Sequence, residues 1–259
     1  MRRRATGLRG RNVAAGLRGR NVAAGLRGLN AVAGLRGRNV AVVLLVVATA
    51  CSGGGGGDDA VTDTTARPDS KAVAERANLQ LEDFPPEWKS TPVPAETVAA
   101  SEALGRVVAA CLNRPPPEEL RETIAYSPDF SASDTRRASS SVAIVKTTEF
   151  AEGDFAALHS DRGPECHKNQ IDSEFARQQP GTLYTTTIRR VDMPQFGDDT
   201  VAYRINASTN SEGREVVTVI DEVFVRKGRA VLAAFFVNRS AAFPLELQRT
   251  LIQRMVGRT

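Results

Sequence analysis

Cysteine, histidine and aromatic residues are all scarce in this 259-residue chain: three Cys, two His, and 5% aromatics with a single Trp. Two histidines, His159 and His167, are too few for a multi-histidine metal centre, and neither stands in a spacing such as HExxH. No G-x-S-x-G elbow occurs, so Ser139, Ser140 and Ser141 read as polar strand residues, not nucleophiles. No glycine loop follows a strand and opens a helix, so phosphate cradling has no platform. A calcium-loop motif is missing too, and Asp198-Asp199 reads as an exposed turn. These gaps lead us to expect no enzyme, no metal and no cofactor.

Acidic residues are absent before Cys51, and that absence explains the net charge. The formal charge of +4 suggests a nucleic-acid binder, yet ten of the 34 basic residues precede Cys51. From Cys51 onward 24 basic residues face 30 acidic ones. A chain cut there is acidic and repels a phosphate backbone, so no nucleic-acid partner is expected.

The first fifty residues carry a nine-residue repeat, GLRGRNVAA from Gly7 and Gly16, GLRGLNAVA from Gly25 and GLRGRNVAV from Gly34. Nine residues are two and a half helical turns, so successive copies point to opposite sides and build no apolar stripe. The unit is also too short for a solenoid. It reads as an expanded basic leader, or as a start assigned too far upstream. The apolar run Val40–Cys51 is twelve residues, short of the about twenty that span a bilayer but right for the core of a secretory signal. Ala48-Thr49-Ala50-Cys51 resembles the lipobox of bacterial lipoproteins, in which the cysteine is lipidated and becomes the new N-terminus. Ser52 and five glycines follow, then DDAVTDTTARPDS, a stretch with little apolar content to collapse it. The resulting division is a leader and signal over 1–50, lipidated Cys51 with a flexible tether over 51–78, and one extracytoplasmic domain over 79–259. The alternative is a plain secretory signal with a free Cys51.

With Cys51 assigned to lipid, Cys111 and Cys166 remain, an even number in an oxidising compartment, and are expected to bond. Cys111 shares a helical face with Leu104, Val107, Val108 and Leu112. Cys166 sits in the first turn after Gly163-Pro164, off the Ile171/Phe175 face. Its neighbour His167 suggests a thiolate beside a base, but adjacent residues point apart and the disulfide takes the sulfur.

Pro94 opens a helix to about Leu112, and Pro115–Pro117 end it before a short turn at Glu118–Leu120. Two strands flank Ser133-Asp134, and Thr147 or Thr148 caps a helix with Ala151, Phe155 and Leu158 on one face. A further helix covers about 164–178. The last third holds four strands, 182–191, 200–208, 215–225 and 230–239, of which the last three form an antiparallel meander through TNSEG and RKG. Strands 215–225 and 230–239 are apolar on both faces, so they are central and covered on both sides. Pro244 opens a last helix. The class is α+β, a mostly antiparallel sheet between helical layers.

Asp221-Glu222 is the oddest polar placement. Alternation puts Asp221 with Val217, Val219 and Val223, and Glu222 with Ile220 and Phe224. A carboxylate on a covered face needs a partner, and Arg204 on the neighbouring strand is a candidate. Both acids, and Trp88, are candidate ligand or partner contacts; structural pairing and core packing are the plainer readings. His159 lies at a helix end, where a cationic ring suits the carbonyl dipole.

The lipobox, the glycine tether, the LEDFPPEW stretch, the paired-cysteine helical middle and the ending VFVRKGRAVLAAFFVN with FP after it together resemble actinobacterial surface lipoproteins. They are similar to the Lpp–LpqN type and to extracellular sensor domains of some receptor kinases, over residues 79–259 in layout. The resemblance implies a PsbP/Mog1-like α/β/α sandwich, a cell-envelope location on the membrane's outer face and no enzymatic activity. Some such lipoproteins are linked to lipid or cell-wall transport. Two functions follow as expectations. One is a non-catalytic module that binds an amphiphile or envelope glycolipid. The other is an accessory or sensor protein for a membrane transporter or kinase, acting through its surface.

Overall fold

In a computed structural model, the structure describes residues 69–178, 183–211 and 214–259. The leader, the repeat, Cys51 and the tether as far as residue 68 lie outside the described residues.

The folded region begins earlier than expected. Ser70–Ala77 forms helix α1, capped by Asp69, whose side chain accepts from the Lys71 amide at 3.0 Å. We assigned this segment to the tether because it is mostly polar. Three small apolar residues carry it: Ala74 and Ala77 are fully buried and Val73 packs beside them. A single 3-10 turn, Leu81–Asp83, then leads to the short strand β1, Lys89–Thr91.

The chain continues through α2 (Ala95–Cys111), α3 (Pro117–Leu120), β2 (Arg121–Tyr126), β3 (Asp129–Ser133) and β4 (Arg136–Val145). Two helices follow, α4 (Thr148–His159) and α5 (Arg162–Gln178). Then come β5 (Tyr184–Arg190), β6 (Asp199–Ser211), β7 (Arg214–Lys227), β8 (Ala230–Arg239) and α6 (Leu245–Gly257). Thr147 caps α4 by accepting from the Phe150 amide. Strand β2 was not expected from the sequence.

All eight strands join one antiparallel sheet in the order β1-β3-β4-β8-β7-β6-β5, with β2 on β4. The β7–β8 hairpin turns through Gly228, whose φ of +56° suits glycine. Strand β8 shows why both its faces are apolar. Ala230, Leu232, Ala234 and Phe236 are buried under α1 and α6, in a core that also takes Val142, Val223, Leu251 and Met255. The alternate residues Val231, Ala233, Phe235 and Val237 are only half-buried, and they face a different environment.

On that second face α4 sets Phe155 and Leu158 on Val201 and Tyr203 of β6, forming a smaller core. The helix α2 does not complete the layer. Of its 17 residues only Ala109 is buried. A polar network ties the segment after α1 to the C-terminal end of α6. Arg258 donates to both oxygens of Asp83 and to the Asn78 carbonyl, while Ser140 donates to Asn78 Oδ1 at 2.8 Å. These strands, both cores and this network lie within residues 69–259.

Candidate functional site

Helix α2 spans a large cavity instead of packing down on the sheet. The cavity has a volume of about 920 Å³ and lies between α2 and α5 above and strands β4, β8, β7 and β6 below. Its floor is Ala143, Val231, Ala233, Phe235, Val237 and Ile220. Its roof is Val98, Leu104 and Val108 from α2 and Leu112 just after it, with Ile171 and Phe175 from α5. The apolar alternates of β8 thus contribute to a cavity wall on this side, while their neighbours fill the core on the other.

The roof is fastened at one end. Cys111 closes α2 and Cys166 opens α5, and the two form a disulfide with a Cα–Cα distance of 5.6 Å. Arg162 adds a bond to the Cys111 carbonyl. Further along α2, Glu102 accepts from Arg121 of β2 at 2.7 Å. Arg114 holds Asp154 of α4 at 3.0 Å. The carboxyl of Asp154 is pushed up by burial, an effect that Arg114 partly offsets. Burial raises Asp129 at the wall in the same way, against the charge of Arg137.

One polar pair is set deep in the wall. His167 Nδ1 donates to Glu222 Oε2 at 2.9 Å, with side chains 7% and 3% exposed. Their rings and chains are framed by Tyr203 and Phe224, whose ring centres lie 5.1 and 5.4 Å from the imidazole. Tyr203 gives its hydroxyl to the Leu158 carbonyl, and burial pushes its phenol up to about 12. Gly163 makes this approach feasible: a Cβ there would stand 2.4 Å from the Leu158 oxygen and 2.5 Å from the Tyr203 hydroxyl. Glycine lets the first turn of α5 reach the sheet, and His167, Ile171 and Phe175 then line the cavity at successive i, i+4 positions.

The candidate residues separate cleanly. Glu222 lines the cavity. Asp221 points to the opposite face, where Arg204 directly across on β6 binds both its oxygens at 2.6 and 3.0 Å. Trp88 is also on that face, stacked on Phe84 with ring centres 4.5 Å apart and 4% exposed. Neither lines the cavity. His159 sits at the end of α4 and meets Asp199 at 2.9 Å, half-exposed. Sequence reasoning missed His167 as a cavity residue. The signal was its position four residues before Ile171 on the α5 face.

No family model matches the chain, and no curated protein is significantly similar to it. Among the solved structures that match, two illustrate how weak the likeness is. LpqN, involved in cell envelope biogenesis of Mycobacterium tuberculosis, is 11% identical with a TM-score of 0.24, over 66% of this chain and 74% of that one. PA94 from Pseudomonas aeruginosa, a protein of unknown function and putative regulator, is 18% identical with a TM-score of 0.18, over 45% and 67%. Likeness at that level carries no functional argument.

Among the described residues no helix is long and apolar enough to cross a membrane, and no three His, Cys, Asp or Glu side chains cluster as a metal site.

Proposed function

We propose that this chain is a cell-envelope lipoprotein, anchored through lipid on Cys51, whose domain holds an amphiphile in the cavity beneath α2 without acting on it chemically. The cavity is the observation that carries this reading. Its volume is in the upper part of the range for small-molecule sites. The apolar side chains of its roof and floor offer a hydrocarbon chain the dispersion contacts that water does not make. Burying about ten methylenes contributes about 8 kcal/mol before the costs of binding are subtracted.

The anchor rests on the lipobox-like Ala48-Thr49-Ala50-Cys51 and the glycine run behind it. The accessory-protein reading has less support. Among the described residues four large apolar side chains are exposed, Leu81, Val107, Leu183 and Leu245, and a few of this kind are ordinary on a surface.

Two measurements test the proposal. Labelled palmitate should enter the full chain expressed in a bacterium and be lost in Cys51→Ser; label retained in that variant sinks the anchor. Residues 52–259, secreted so that the disulfide forms, should bind the apolar dye N-phenyl-1-naphthylamine saturably at one site. Failure to bind it, in protein that unfolds cooperatively, sinks the cavity reading.

A further inference from the structure

An amphiphile in an apolar cavity must place its polar group somewhere, and the cavity wall offers one built receptor. His167 and Glu222 come from different elements, α5 and β7, and both line the cavity. Glu222 Oε2 holds Nδ1 at 2.9 Å, which leaves Nε2 as the ring's remaining hydrogen-bonding atom. That atom is buried and has no hydrogen-bond partner. The nearest rings cannot supply one: Phe224 has no donor, and the Tyr203 hydroxyl is committed to Leu158. A buried polar atom left unpaired is a cost that folds normally avoid.

The charges around the cavity decide what fits this receptor. Glu222 is itself a carboxylate, and a second anion beside it would be repelled. The cations in the lining cannot compensate. Arg114 is bound to Asp154 and Arg121 to Glu102, and Arg239 is exposed at the end of β8. A hydroxyl on an uncharged head meets both demands: it both donates and accepts, so it pairs with the imidazole nitrogen in either role, and it brings no charge.

Resting on the cavity-ligand reading above, we propose that the His167–Glu222 pair is the polar anchor of the cavity and selects an uncharged, hydroxyl-bearing amphiphile. Carboxylate and phosphate heads are discriminated against at the same pair.

The test is displacement of N-phenyl-1-naphthylamine from residues 52–259 by monolaurin, lauric acid and dodecylamine. These share one chain length and differ in the head, and each is used below its aggregation threshold. Monolaurin should displace the dye at a concentration about tenfold lower than lauric acid, with dodecylamine, whose cation Glu222 does not repel, between them. His167→Phe keeps an aromatic ring but removes both nitrogens, and should weaken monolaurin by about tenfold, while laurate, still facing Glu222, stays weak. Glu222→Gln removes the charge while its carbonyl still accepts from Nδ1–H, and should raise the affinity for laurate by about tenfold. Dye that binds but shows no head preference, or prefers laurate or dodecylamine, overturns the anchor and leaves the cavity reading standing. Preference that survives in both variants also overturns it. Dye that never binds overturns the cavity reading, and the anchor with it. Should neither variant fold, the head-group series on the unaltered domain decides alone.

Discussion

Two neighbouring alanines on one strand should respond in opposite ways to the same enlargement. Ala234 is 1% exposed and faces the core beneath α6, whereas Ala233, next to it, faces the cavity. Replacing either with Phe adds a ring of equal size on the same backbone. At Ala234 the ring enters a filled core, where overpacking costs about 1–3 kcal/mol or more. For a domain of this length about 1 kcal/mol moves Tm by about 2–4 °C, so Ala234→Phe should lower Tm by roughly 5–10 °C or prevent folding. At Ala233 the ring enters space bounded by Phe224 on one side and Ser141 on the other, its partners across the ladders. Ala233→Phe should therefore leave Tm within about 2 °C of the parent, or raise it, because a strand accepts Phe readily. It should also weaken dye binding by about tenfold, since the ring occupies ligand volume. Thermal unfolding followed by circular dichroism, with dye titration on the same samples, reads both effects. Equal destabilisation at the two positions would show that α2 packs down and that the cavity does not exist in solution. Unchanged dye binding in Ala233→Phe would place the ligand elsewhere.

Three further outcomes follow from the same geometry. Gly163→Ala should destabilise the domain by about 2–3 kcal/mol, because its Cβ would press on the Leu158 carbonyl and the Tyr203 hydroxyl; a Tm within about 1 °C of the parent would contradict this. Replacing Cys111 and Cys166 together with Ser opens a 55-residue loop and should cost about 4 kcal/mol on the chain-entropy model, with the largest loss of protection from hydrogen exchange in α2. Burial raises the Tyr203 phenol from its ordinary 10.0 to about 12, so the unfolded chain loses that proton first as pH rises. Its contribution to stability is complete below pH 10 and is lost between 10 and about 12; Tyr203→Phe should flatten that alkaline decline in urea-unfolding curves, and an unchanged decline would contradict the assignment.

The regular elements were legible wherever one signal dominated. Strands β7 and β8 are apolar at every second position on both faces, and such strands can only be central. Pro94 and Thr147 mark helix starts through chemistry that acts within a few residues. Helix α1 was hidden because its burial rests on two alanines and a valine in a polar stretch that composition assigns to a tether. Strand β2 was hidden because it opens on Arg121 and Glu122, whose charges disguise its pairing with β4. The cavity left no local trace at all. It exists because α2 stands off the sheet, and no periodicity distinguishes a helix that roofs a space from one that fills it. The Asp221–Arg204 pair could be anticipated from strand register alone, whereas His167 and Glu222, 55 residues apart, meet only through the close approach at Gly163.

The most direct test of the cavity reading is native mass spectrometry of residues 52–259 secreted by a bacterial host and purified without detergent. A stoichiometric adduct with the mass of a lipid, lost on denaturation and absent from Ala233→Phe, is the expected result. A bare protein mass that stays bare after incubation with monolaurin would contradict the claim that the domain is a lipid-binding module.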